Sequence, residues 1–121
     1  MKNYSFESLD AWKEAKNSFL KIYKVTSAFP NEEKFNITSQ IRRSSFSVCC
    51  NISEGTSRIS SKEKSRFLEI AYGSLMETLN GIIIANELQL INTDQYQDVR
   101  NDIELVSSKL NGLNNYFKKN H

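Results

Sequence analysis

With 121 residues, 39% of them apolar and 25% charged, the chain is long enough for one hydrophobic core and too short for two. Four glycines and one proline leave little turn material, which favours a few long helices. A formal net charge of +2 permits an anionic partner without requiring one, and the start, Met1-Lys2-Asn3-Tyr4-Ser5-Phe6-Glu7, has no apolar leader. No stretch reads as the roughly 20 apolar residues of a membrane span, so a cytosolic protein with no membrane partner is expected.

In chain order, residues 6 to 29 read as a first helix, with Leu9, Trp12, Ala15, Phe19, Ile22, Tyr23 and Thr26 at helical intervals. Ser5 or Ser8 can cap its start, and Phe29-Pro30-Asn31 ends it, because the residue before proline is pushed out of the helical region. After a short connector, residues 37 to 54 form a second helix whose stripe is Ile37, Ile41, Ser45, Val48 and Ile52. Serine is a mediocre helix former, so Ser39, Ser44, Ser45, Ser47 and Ser53 need another reason, and close approach of a neighbouring helix supplies it. Gly55 is expected to stop this helix by adopting positive φ.

Ser60 with Glu63 three residues on is a capping-box signature that starts the third helix near Ser61. Its inward positions are Phe67, Leu68, Ala71, Leu75, Leu79, Ile82, Ile83 and Asn86, with an extension to Leu90 or Ile91. Gly73 and Gly81 each cost about 1 kcal/mol there relative to alanine, which points to close packing. Ile82-Ile83-Ile84-Ala85 is apolar almost all round, so this helix should be covered on more than one side, by its own bundle and by another subunit. Thr93 can cap the fourth helix, where Tyr96, Val99, Ile103, Val106, Leu110, Leu113 and Phe117 alternate steps of three and four. The end, Lys118-Lys119-Asn120-His121, is expected to fray. Short connectors make sequential helices antiparallel, so the predicted fold is all-α, an up-down-up-down four-helix bundle spanning residues 1 to 121 as one domain.

The sequence offers little chemistry. The single histidine, His121, is terminal, which removes the Glu-x-x-His pairs of a bundle di-iron site and any histidine base for a nucleophile. Cys49 and Cys50 are neighbours on a helix, about 100° apart around its axis, and lack zinc spacing, so both read as small buried residues. No metal, cofactor or catalytic residue is expected. Glu54 and Glu77 could form an acid/base pair. Their more economical role is in a buried polar layer with Gln40, Arg43, Asn51 or Arg58 that fixes helix register.

Between Lys34 and Arg66 seven basic residues stand against two acidic ones, a local excess of five, and the rest of the chain is net acidic by three. Arg42, Arg58, Lys62, Lys64 and Arg66 are the candidate phosphate contacts, four of them around the second turn and the start of the third helix. A solvated surface accounts for them as well. Four or five contacts per molecule give useful affinity only if the patch is repeated by symmetric assembly.

The motifs carry a resemblance. Leu9, Trp12, Ala15 and Phe29-Pro30 come first, then Gln40-Ile41-Arg42-Arg43, Asn51-Ile52-Ser53-Glu54-Gly55 and Arg58. Phe67-Leu68, Ala71, Gly73-Ser74-Leu75 and Glu77 follow. In this order and spacing the chain resembles the 23S ribosomal RNA intervening-sequence proteins over nearly its whole length. Ser44, Ser45 and Ser53 replace expected alanines, and Cys49-Cys50 replaces a small residue or proline. The resemblance implies a non-enzymatic homo-oligomer, a ring of five, with RNA or another nucleic acid as partner. The accessory proteins of diversity-generating retroelements, which bind a reverse transcriptase, share the fold, and they keep a protein-interaction scaffold open as the second function.

Overall fold

The computed structural model describes residues 1 to 119 and builds them into four helices: α1 (Asp10–Thr26), α2 (Ile37–Ser57), α3 (Ser61–Glu87) and α4 (Thr93–Lys119). Two short 3-10 turns, Ser5–Ser8 and Asn31–Glu33, precede α1 and α2, and there is no strand among the described residues. Each helix packs on its two sequence neighbours, α1 and α4 closing the square. The pairings fix direction. Ile41 meets Gly81, Ser44 meets Thr78, Ser47 meets Ser74 and Gly55 meets Phe67, so α2 and α3 run antiparallel. Thr26 with Arg42 sets α1 against α2, Lys21 with Asp98 sets α1 against α4, and Lys64 with Phe117 sets α3 against α4. All four contacts are antiparallel, as an up-down-up-down bundle requires.

The core is the sum of the apolar stripes. Ile22, Ile41, Ile52, Leu68, Ile82, Ile103 and Leu110 are its largest side chains with almost no exposure. Spacing of three and four puts these on one side of each helix, and burying each contributes roughly 1.5–3 kcal/mol. Buried hydroxyls share the interior with them: Ser18, Thr26, Ser44, Ser45, Ser74 and Thr78.

Several element ends differ from the sequence expectation, each for a local reason. Leu9 is extended, so residues 5 to 8 form a separate turn, closed by the Tyr4 amide donating to the Glu7 carboxylate over 2.7 Å. Gly55 does not end α2. It is helical and buried, and a Cβ there would lie 2.9 Å from Phe67 Cβ, so its role is close approach of α3 rather than positive φ. α3 stops at Glu87 because Gln89 takes φ 61°, which lets the Gln89 and Leu90 amides donate to the Asn86 and Ala85 carbonyls. Asn92, not Thr93, caps α4 by accepting from the Gln95 amide at 2.8 Å, while the Gln95 side chain accepts from the Asn92 amide. Lys118 and Lys119 continue α4, and Asn120 and His121 lie outside the described residues. By length and composition α3 also meets the requirement for a membrane span, contrary to the expectation of none. A core helix of a soluble bundle meets it equally, and Leu68, Ala71, Leu75, Ile82 and Ala85 pack inward here.

Candidate nucleic-acid interface

The turn between α2 and α3 is short because α2 runs on to Ser57 and Ser60 already accepts the Glu63 amide at 3.1 Å. That brevity crowds basic side chains at one end of the bundle. Arg58 is extended at the α2 C-terminus and lays its guanidinium 4.5 Å from the centre of the Phe67 ring. Arg66 reaches the same ring at 5.7 Å and stands 3.9 Å from Glu63, so one aromatic carries two cations. Lys62 is exposed, with no hydrogen bond or ion pair among the described residues. Together Ile59, Ser60, Ser61, Lys62, Ser65 and Arg66 line an open groove with one carboxylate, Glu69, and Lys118 joins it from the end of α4.

The other two candidates are committed elsewhere. Lys64 donates to the Thr56 carbonyl at 2.9 Å and lies 5.2 Å from the Phe117 ring, closing the end of α2 against α4. Arg42 sits about 24 Å from Arg58 along α2. It donates to Thr26 Oγ1 at 2.8 Å, to the Tyr23 carbonyl at 3.1 Å and to Ser27 Oγ at 3.2 Å, and stacks 3.8 Å from the Tyr23 ring. It is thus a cap on the end of α1. Arg42 and Arg43 divide the two roles foreseen for them in the opposite sense: Arg42 is bonded and half-buried, and Arg43 is exposed.

The proposed buried polar layer takes a different form. Gln40, Arg43, Glu54 and Glu77 are exposed and Asn51 is half-buried, and the five share the outer face of the α2–α3 pair rather than its interior. Asn51 donates to the Ser47 carbonyl and hydroxyl at 2.8 and 3.0 Å. Gln40 and Glu77 line one shallow groove with Asn80, Ile84 and Leu88. Inside, register is set by hydroxyls: Ser44 with Thr78 at 2.8 Å and Ser47 with Ser74 at 2.9 Å. Desolvating five charged or amide side chains is costly, whereas a hydroxyl can bond back to its own helix and still pair across. In this register Glu77 lies level with Ser45, about nine residues or 14 Å along the helix from Glu54, too far for shared proton work.

Burial raises both thiols. Cys49 is pushed up to about 11, with the Cys50 charge a lesser cause, and Cys50 rises through burial and then through Glu54. Neither is an activated nucleophile. Among the described residues no three His, Cys, Asp or Glu side chains are grouped closely enough to hold a metal ion.

Sequence reasoning missed Lys118, because the end of α4 looked frayed, although antiparallel pairing of α3 and α4 returns it to the basic turn. It also missed an aromatic surface on the α1–α2 side, where Phe19 stands 5.5 Å from Phe46 and 6.0 Å from Tyr23. Helical spacing places Phe19 and Tyr23 on one stripe without showing that Phe19 packs against the core while Tyr23 is exposed.

The family model described as 23S rRNA-intervening sequence protein matches residues 7–112. A protein of unknown function from the S23 ribosomal protein family of Bacteroides thetaiotaomicron has the same fold, with a TM-score of 0.80 and 24% sequence identity. The match covers 86% of this chain and 97% of that one, a likeness that speaks for the fold alone. No curated protein matches the sequence.

Proposed function

The chain belongs to the 23S rRNA-intervening sequence protein family, and from that premise we propose that it is a non-enzymatic homo-oligomer, a pentamer as the resemblance implies, that presents repeated basic surfaces to RNA or another nucleic acid. The observation that carries the proposal is the basic end of the bundle at the α2–α3 turn, where Lys62, Arg66 and Lys118 line one groove and Arg58 shares the Phe67 ring with Arg66. Such a group of side chains makes a weak phosphate site, and assembly multiplies it. Such binding is backbone-directed, hence steeply salt-dependent and weakly sequence-dependent.

The test is fluorescence anisotropy with structured RNA, single-stranded RNA and duplex DNA at about 50 and 200 mM salt. Replacing Arg58, Lys62 and Arg66 together with serine lowers affinity while leaving the oligomeric mass unchanged, because these residues lie at the turn and the start of α3 rather than on an apolar stripe. Absence of binding to every probe at low salt by an assembled oligomer sinks the proposal and favours the protein-interaction scaffold.

A further inference from the structure

Two surfaces of the bundle carry exposed apolar side chains that no other described residue covers. On the α1–α2 side Leu20 is 57% exposed, Phe46 54% and Tyr23 49%, set in an aromatic cluster with Phe19. On the outer side of α3, next to α2, Ile70, Ile84 and Leu88 are exposed and fall on one face with Gly73 and Glu77. Gly73 has no intramolecular reason. A Cβ built there meets no atom within 4 Å, unlike one at Gly55 or Gly81, yet an interior glycine weakens the helix. The charges are opposite. Residues 67 to 99 contain no lysine or arginine, and Glu77 sits within the α3 face. The α1–α2 face carries Lys16 over Trp12 and Arg42 over Tyr23.

We infer that the outer face of α3 in one copy docks on the aromatic, basic α1–α2 face of the next copy, with Gly73 as the point of closest approach. The inference deepens the oligomer proposed above and rests on it. The contact is heterologous, joining two different faces, so repetition generates a ring if the angle closes. Neighbouring side faces of a four-helix bundle converge at about 90°, a wedge that repetition closes into a small ring, each subunit of a ring of five filling about 72°. Both faces adjoin α2, so α2 turns its outer ridge, with Arg43, Cys50 and Glu54, towards the ring axis. Both also run along the helices, which places every α2–α3 turn on the same rim and gathers the basic grooves side by side.

Two variants test this. Gly73→Gln adds bulk in open space on a better helix former, so it folds at least as well as the natural chain and blocks only the approach of a neighbour. Phe46→Glu spoils the other face at an exposed position. By native mass spectrometry the natural chain gives several times 13.9 kDa, and each variant alone falls to a single subunit, about a fivefold drop for a pentamer. A one-to-one mixture recovers a dimer and no ring, because one pairing of undamaged faces survives. Retention of the natural mass by either variant overturns the inference, as does a mixture that stays monomeric. A natural chain that is itself monomeric overturns the oligomer reading instead.

Discussion

Between α2 and α3 the backbones come so near that a Cβ at Gly81 would stand 2.6 Å from Ile41 Cγ1. Between α1 and α4 the helices are joined at the rim by long charged side chains, Lys21 reaching Asp98 at 3.0 Å and Asp102 at 2.7 Å, and Lys109 reaching Asp10 at 3.9 Å. The first seam is knit by hydroxyls and by glycines without side chains, the second adjusts through flexible ends in solvent. Glycine and serine in α2 and α3 therefore buy proximity at the expense of helix propensity, while α1 and α4 keep ordinary amphipathic sequences. The basic turn joins this close pair, and the face bearing Gly73 lies beside their contact.

The largest way to break this contrast is Gly81→Val, which forces branched carbons into Ile41. Overpacking there should cost roughly 2–3 kcal/mol by denaturant titration. A loss under about 1 kcal/mol would show that the seam can yield. Next is Thr78→Val, which removes the partner of Ser44 inside the seam and should cost about 1–3 kcal/mol. Thr38→Val is its control: Thr38 Oγ1 is buried with no partner among the described residues, so the same change there should be neutral or stabilising.

On the α1–α4 side Lys21→Met should cost only about 0.2–1 kcal/mol, and the difference should vanish near 1 M salt. The hydrogen bond to Asp102 raises the Lys21 ammonium above its ordinary value. A raised folded value means that this stabilisation is complete below the ordinary lysine range and disappears as pH climbs past it. Cys49 acts sooner. Its thiol is raised from 9.0 to about 11, so the stability linked to its neutral form is present below pH 9.0 and lost as pH rises towards 11. Alkali melting of Cys49→Ala should lack that component, and alkylation near pH 8 should modify half-buried Cys50 before Cys49.

Fold class and helix order were legible because the apolar stripes have a clear period, as at Val99, Ile103, Val106 and Leu110, all buried. Helix ends were less legible. Gln89 at positive φ has no sequence mark, since glycine is the usual residue there, and Gly55 looked like a stop although it serves as a contact. The basic turn was visible as a run of charge. Which of its members are engaged was not, because the Lys64 bond to Thr56 and the Arg42 bond to Thr26 depend on which helix ends meet. Gln40, Arg43, Glu54 and Glu77 prove exposed and Asn51 half-buried, because one-dimensional spacing assigns a stripe without saying whether it faces the core or solvent.

The central claim is that assembly turns a weak basic groove into a nucleic-acid surface. It is tested most directly by the slope of log affinity against log salt for RNA, measured on the natural chain and on the Gly73→Gln variant. Each engaged phosphate adds about 0.7–0.9 to that slope. The natural assembly should therefore lose affinity by orders of magnitude between about 50 and 200 mM salt, and the single subunit should bind weakly with a slope several-fold shallower. Equal slopes for assembly and subunit, or tight binding that salt leaves unchanged, would contradict it.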